Sequence, residues 1–250
     1  MARFKFRRSP RFDNLEGRQL LSSVPAGGPS DQQQYLLQLI NEARTSPAAA
    51  AAQISSEITP QVTATLQYYG VNLQTALNTI SSATPQPPLA WNADLANAAQ
   101  GQSQYMANNQ IQSHYGANGS TPQQRMTAAG YTNITSSAEN AYAYASSPAE
   151  AMEAFLLDWG VPSDGHRINI QQPGVAQQNA FTDAGVGIVQ TSPSNPNFGP
   201  EVITEDFARS SNSQPQLVGV GKPGLRVVGA GQFCASLDGR PLPTVAERDG

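Results

Sequence analysis

The sequence predicts an α+β fold, a three-layer α-β-α sandwich with helices on both sides of a small antiparallel sheet. Two observations carry this prediction. Apolar residues recur at helical spacing in several segments that begin with capping residues, and later segments have the strand-like composition of a sheet. The chain has 250 residues, 39% of them apolar, which suffices for one core of roughly 150 residues or more.

The first helix is predicted from a capping box. Ser30 is its cap and Gln33 stands three residues later, while Pro47 disfavours helical geometry at the residue before it, so the helix should end near Arg44. An Ala-rich second helix is predicted from Ala48. Residues 54–88 should hold a packed helix and a turn, and then an extended, proline-rich approach to residues 89–91.

Three further helices are predicted after this segment. A long amphipathic helix should run from Asn92 to about Asn109 and place His114 just beyond its end. Thr121, followed by Pro and then by Gln at the third position, should begin a short helix that ends at Gly130. The same arrangement at Ser147 should begin a helix with a buried apolar stripe: Met152, Phe155, Leu156 and Trp159.

The predicted strands cover residues 185–190 and 201–207, and a turn-rich segment between them suits an antiparallel pair. A third strand is predicted around Glu139. In that strand Tyr142 and Tyr144 alternate, which fits either a cleft wall or ordinary strand packing.

Composition excludes several classes of function. The chain carries 14 basic residues and a net charge of −4, too little positive charge for the body of the protein to bind nucleic acid. No apolar run approaches the roughly 20 residues that a membrane-spanning helix needs. A single cysteine, Cys234, excludes an intramolecular disulfide.

The two ends differ from the middle. Residues 1–29 are predicted to be a basic export-type leader and linker, because six of the basic residues fall in the first eighteen positions. Residues 11–22 resemble the leaders of many surface or secreted proteins of one bacterial lineage, which implies export by an atypical route. Residues 30–210 should form the folded domain, a monomer. Residues 211–250 are predicted to be a Gly/Pro/Ser-rich tail, either disordered or a truncated module.

The candidate site centres on the only two histidines, His114 and His166, which stand in polar, turn-rich stretches. Carboxylates lie between them in sequence, at Glu139, Asp158 and Asp164. Neutral imidazole and carboxylate are the groups that ligate zinc or transfer protons near neutral pH. The histidines are 52 residues apart, however, so spacing alone does not bring them together.

An ordered set of motifs resembles the SCP-like extracellular domain of the CAP superfamily, which includes cysteine-rich secretory proteins, venom antigens and plant pathogenesis-related proteins. The resemblance covers about residues 32–208. It is carried by His114 and by five short segments, in this order along the chain: residues 39–44, 88–95, 125–131, 138–140 and 165–170. The absence of paired cysteines makes the chain similar to the bacterial branch.

The resemblance implies an α-β-α sandwich whose cleft holds two histidines and two acidic residues and binds zinc or another divalent metal in some members. His114 matches the first histidine, Glu139 the Glu of the Gly-Glu-Asn motif, and His166 the histidine of the Gly-His-Arg motif. Asp158 is the choice for the fourth position, with Asp164 as its rival. The chain departs from the pattern at residue 138, where Ala replaces Gly, and at residue 155, where Phe replaces Trp.

The predicted function is that of an exported or cell-surface binding module for an extracellular or envelope ligand, with no nucleic-acid partner. One alternative is a metal-dependent, peptidase-like hydrolase that uses Glu139 as general base. Another is a purely structural surface module. The binding module is preferred over an enzyme because the sequence contains no nucleophile elbow and no identifiable substrate-positioning motif.

Overall fold

A computed structural model describes residues 28–191 and 198–212. The helices within these residues are α1 (Asp31–Thr45), α2 (Pro47–Glu57), α3 (Pro60–Tyr69), α4 (Leu73–Ser81), α5 (Ala93–Asn109), α6 (Pro122–Ala129), α7 (Pro148–Leu157) and α8 (Gly165–Gln171). The strands are β1 (Ala90–Trp91), β2 (Ile134–Ala145), β3 (Asp183–Gln190) and β4 (Glu201–Ser210). The predicted leader, the tail and Cys234 lie outside the described residues, apart from residues 28–29 and 211–212.

The helix starts predicted from capping residues are confirmed, whereas the segment predicted to hold one packed helix contains both α3 and α4. Ser30 forms a capping box with Gln33 at the start of α1, and Thr121 forms one with Gln124 at the start of α6. At the start of α7 the Ser147 side chain accepts a hydrogen bond from the backbone N–H of Glu150. These caps satisfy backbone donors that no carbonyl within the helix can reach, so each helix begins at a defined residue.

The sheet is mixed rather than wholly antiparallel, which corrects the prediction for one strand. Its strand order is β1-β3-β4-β2, with β3 and β2 both antiparallel to β4. The two-residue β1 pairs in parallel with the start of β3, so that Ala90 lies opposite Asp183. The proline-rich segment before β1 is neither helix nor strand, and Asn41 of α1 holds its end by hydrogen bonds with the backbone N–H and carbonyl of Leu89.

The three-layer arrangement is confirmed. Helices α5 and α6 cover one face of the sheet, and α1, α7 and α8 cover the other. Met106 of α5 packs on the β2 residues Ala141 and Ala143, in one apolar cluster with Phe198 and Val202. Residues of β2 therefore alternate between the α5 face and the α7–α8 face, and this alternation distributes the candidate site residues between the two faces.

Arg44 ties α1 to the segments around α8. This wholly buried side chain donates to the backbone carbonyls of Pro87 and Ile170, at 2.9 and 2.6 Å, and to Oε1 of Gln172 at 3.2 Å. Burial lowers the pKa of its guanidinium to about 10. Because Ile170 belongs to α8, Arg44 helps to hold in place the helix that carries His166.

Candidate functional site

The site is built around β2, an outer strand of the sheet. Glu139 and Asn140 are consecutive on this strand, so their side chains point to opposite faces. Glu139 faces α5 and α6, and Asn140 faces α8. The two candidate histidines approach the strand from these two sides.

His114 lies in the loop after α5 and contacts Glu139. Its Nδ1 atom is 2.9 Å from Oε1 of Glu139, whose side chain is buried, whereas 52% of the His114 side chain is exposed. Two glutamines position this loop. Gln102 of α5 donates to the Ser113 carbonyl at 2.6 Å, and Gln112 accepts a hydrogen bond from the backbone N–H of Ala143 on the free edge of β2.

Arg125 of α6 completes this side of the site. Its guanidinium forms an ion pair with Oε2 of Glu139 and also donates to the carbonyls of His114, at 3.1 Å, and Ser120, at 2.7 Å. Arg125 therefore compensates the buried charge of Glu139 and fixes the loop that carries the imidazole. Arg125 begins the motif at residues 125–131, but the motif alone does not predict its role. The sequence did offer one signal for Arg125: basic residues are rare here, since residues 28–191 contain three arginines and no lysine.

Asp206 is a second buried carboxyl group on this face and was also missed. It lies directly opposite Glu139 in the β2–β4 ladder, and no donor from the described residues reaches either of its oxygens. Burial raises the pKa of Asp206 well above its ordinary value, and the negative charge of Glu139 raises it further. Two carboxyl groups therefore face each other across the ladder, and the charge of Glu139 disfavours ionisation of Asp206.

His166 stands in the first turn of α8 and contacts Asp158. Its Nδ1 atom is 2.7 Å from Oδ1 of Asp158, and Oδ2 of the same carboxylate accepts the backbone N–H of Arg167 at 3.0 Å. Asp158 is the C-cap of α7 in the left-handed conformation, with φ 55°, and is buried. Asp and Asn adopt this conformation more readily than other side chains, so the helix end itself presents the carboxylate to the ring.

Asp164, the rival for the fourth position, is placed elsewhere. Its carboxylate forms an ion pair with the Arg167 side chain one turn along α8, and 46% of it is exposed. The structure therefore places Asp158, and not Asp164, against His166. Arg167 contributes through both its backbone and its side chain to holding this turn in place.

Two asparagines connect the two histidine–carboxylate pairs. Asn140 donates to the backbone carbonyl of His166 at 3.3 Å and to Oε2 of Glu205 at 3.0 Å. Asn169 of α8 donates to Oδ1 of Asn140 at 2.9 Å and to the Glu139 carbonyl at 3.4 Å. The side chains and backbone of residues 139 and 140 thus hold both pairs to one strand.

The four predicted residues are therefore arranged as two pairs, each with a carboxylate on a histidine Nδ1 atom. A carboxylate that accepts at Nδ1 fixes the ring proton there and leaves the lone pair on Nε2. Across residues 28–191 and 198–212, no group of three or more His, Cys, Asp or Glu side chains could hold a metal ion together. These residues therefore offer a metal ion two ligand atoms, Nε2 of His114 and Nε2 of His166, while the carboxylates contact the Nδ1 atoms of the same rings.

The comparisons with known proteins identify the family. The model of the CAP family, described as the cysteine-rich secretory protein family, matches residues 37–198. The chain belongs to the CAP family. No curated protein matches it.

Two solved structures are similar to this CAP domain. One is an extracellular protein containing an SCP domain from Bacillus anthracis, with 23% identity and a TM-score of 0.39 over 61% of this chain. The match spans only 44% of that protein's length. The other is an outer surface protein from Borrelia burgdorferi, with 16% identity and a TM-score of 0.39 over 57% of this chain and 90% of that one.

An aromatic cavity opens beside the second pair of this CAP domain. It has a volume of about 550 Å³, and His166 forms part of its wall together with six aromatic side chains: Tyr68, Tyr69, Tyr142, Tyr144, Phe155 and Trp159. The His166 ring lies 5.1 Å from that of Phe155. Burial is the main cause that raises the pKa of the Tyr142 hydroxyl. Both alternating tyrosines of β2 line the cavity, and Tyr144 is 47% exposed.

Proposed function

We propose that this CAP protein is an exported or cell-surface binding module whose cleft binds a divalent metal ion, zinc being the best match. Export is supported by the description of the family as secretory and by the resemblance of residues 11–22 to the leaders of surface and secreted proteins. None of the helices described in the structure is long and apolar enough to cross a membrane. The module's ligand is an extracellular or envelope molecule.

One observation carries the metal proposal. Both histidines of the chain have a buried carboxylate on Nδ1, at 2.9 Å for His114 and 2.7 Å for His166. Zinc-binding histidines in proteins have this arrangement, because the carboxylate fixes the tautomer and makes Nε2 a better ligand.

The same arrangement limits the strength of the site. Two imidazoles supply two protein ligands, fewer than the three or four of typical zinc sites, so water must supply the rest. We therefore propose weak to moderate affinity. We propose that His114 and His166 bind the ion, and that Glu139 and Asp158, which contact their Nδ1 atoms, orient the rings.

A binding module accounts for the site better than a hydrolase does. A hydrolase would use Glu139 as its general base, but His114 and Arg125 contact its two oxygens and Asp206 faces the same carboxylate. A general base needs an oxygen free to approach the attacking water, and both oxygens of Glu139 already contact other side chains. Asp158 is similarly occupied, by His166 and by the backbone N–H of Arg167.

Titration calorimetry with zinc tests the proposal. For the wild type, the heat of zinc binding should saturate at one ion per chain. His114→Ala should lose most of this heat, because it lacks one of the two imidazole ligands. Tyr115→Ala is the matched control, since that neighbour is 64% exposed and contributes no ligand. Binding should weaken at pH 5, because a protonated imidazole has no lone pair for a metal.

Equal heats from the wild type and His114→Ala would refute the site. Absence of heat from every variant would instead favour the purely structural module, in which the paired side chains only stabilise the cleft.

A further inference from the structure

A second concave surface lies where α2, α3 and α7 meet the C-terminal end of β2. We call it the acidic groove and define it by Glu57, Glu150, Glu153, Tyr142 and Tyr144. Its volume is about 570 Å³, within the range of small-molecule sites in proteins. It shares both tyrosines with the aromatic cavity, but neither histidine lines it.

Glu153 is the unusual residue of the acidic groove. Glu153 is only 7% exposed. Its carboxylate forms no hydrogen bond or ion pair with any described residue. Glu153 also lines a second, small pocket together with Glu42 and Glu57, so the neighbouring charges are also negative. Burial raises the pKa of Glu153 to about 7, and the charges of Glu57 and Glu150 add to this. The Glu153 carboxylate therefore lies at the wall of the groove, partly withdrawn from water and without a positive partner among the described residues.

The described part of the chain supplies no cation to balance the groove. It contains 13 acidic residues and four arginines, and no lysine. Each arginine is engaged elsewhere: Arg44 and Arg209 with backbone carbonyls, Arg125 with Glu139, and Arg167 with Asp164. The cation that would pair with Glu153 must therefore come from outside these residues.

The geometry favours an organic cation over a metal ion. No three of the acidic side chains described here are close enough to hold one ion together, although Glu57, Glu150 and Glu153 line the same groove. The walls between the carboxylates include the rings of Tyr142 and Tyr144, whose centroids are 5.9 Å apart. Tyrosine faces attract alkylammonium groups through cation–π interactions and pack against methylene chains.

We propose that the acidic groove is a binding site for a linear polyamine, with separate ammonium groups at the separate carboxylates and methylene segments against the tyrosine rings. Glu153 forms the central ion pair, and Glu57 and Glu150 flank it. Several carboxylates match several ammonium groups. A ligand with one ammonium group would leave the other two without a cation, since among the described residues Glu57 accepts only from Gln53 and Glu150 only from the backbone N–H of Ser146. The site does not depend on the metal proposed for the histidine cleft.

Titration of the full chain with spermidine in a calorimeter tests the proposal. Spermidine should bind to the wild type, and propylamine, with one ammonium group, should bind at least tenfold more weakly. Glu153→Gln should weaken spermidine binding at least tenfold. Asp31→Asn is the matched control, because it removes the same charge from an exposed position outside the groove and should leave the affinity unchanged. Tyr144→Ala should weaken binding severalfold.

The pH dependence gives a second readout. A cation favours the ionised form of Glu153, so spermidine should bind more tightly at pH 8 than at pH 6. Glu153→Gln should lose most of this dependence and should melt no lower than the wild type, which would exclude misfolding as the cause of weaker binding.

Two outcomes would overturn the proposal: no spermidine binding to the wild type, or equal losses in Glu153→Gln and Asp31→Asn, which would indicate nonspecific charge attraction. A tetralysine peptide that competes with spermidine would support the same alkylammonium chemistry with lysine side chains as its source. His114→Ala should keep its spermidine affinity, so failure of the metal site and failure of the groove are distinguishable.

Discussion

Replacing Gly185 with alanine should destabilise the domain by about 3 kcal/mol or more, a large fraction of the 5–15 kcal/mol by which most domains are stable. A Cβ atom at Gly185 would lie 2.6 Å from Cβ of Leu95 and inside the contact radius of the α5 backbone at Leu95 and Ala96. At Gly187 the new atom would overlap the α5 backbone at Ala99. Side chains can rotate away from such an overlap, but helix backbone cannot.

Gly101→Ala is the matched control for this prediction. Gly101 lies on the exposed side of the same helix, where a Cβ would meet nothing within 4 Å. Alanine in a helix interior is more favourable than glycine by about 0.5–1 kcal/mol, so this variant should be slightly more stable. Thermal unfolding of the wild type, Gly185→Ala and Gly101→Ala measures these stability changes. Similar melting temperatures for Gly185→Ala and the wild type would show that α5 does not pack this closely on β3.

Glu205→Gln should stabilise the protein at alkaline pH. Glu205 is wholly buried, and it accepts one hydrogen bond, from Asn140, at Oε2, while its Oε1 has no partner among the described residues. Burial raises its pKa to about 8, an effect that the Asn140 hydrogen bond partly offsets. The native state therefore holds the proton more tightly than the unfolded chain, whose carboxyl ionises near about pH 4.3.

The sign of the pH dependence follows from this difference. Below the unfolded pKa both states are protonated and Glu205 costs nothing. As the pH rises, the unfolded chain loses its proton first, and native stability falls until the native carboxyl also ionises near pH 8. Glutamine keeps the shape and the acceptor for Asn140 but cannot ionise. The variant should gain on the order of 3 kcal/mol over the wild type at pH 8.5 and little at pH 4.5.

Urea unfolding at the two pH values measures this gain. Asp206 is also buried and acts in the same direction, so the relevant quantity is the difference between the variant and the wild type. Asp31→Asn serves again as the exposed control. A gain from Glu205→Gln that is equal at both pH values would mean that the Glu205 carboxyl does not carry the raised pKa.

Local signals in the sequence predicted much of the fold correctly. The caps at Ser30, Thr121 and Ser147 act within one helical turn, so nearby residues suffice to predict them. The parallel pairing of β1 was missed because it depends on a partner about 90 residues away. Helix α8 was missed as a helix because its seven residues are too few to show an apolar period.

The site was predictable as a set of residue types but not as a set of contacts. The two histidines stand out because the chain has no others. Asp206 and Glu205 were interpreted only as part of a strand, since their burial follows from the register that places them opposite Glu139 and Asn140. The position of Asp158 depends on the left-handed end of α7, a conformation that sequence spacing alone does not reveal.

The central claim is that both imidazoles carry their proton on Nδ1 and present Nε2 to a metal ion. Nitrogen-15 NMR of histidine-labelled protein tests it directly, because the chain has two histidines and His114→Ala assigns their signals. At neutral pH both rings should be Nδ1–H tautomers, and zinc should shift the Nε2 resonances of both and leave Nδ1 protonated. Nε2–H tautomers at both rings, or Nε2 resonances that do not respond to zinc, would contradict the claim.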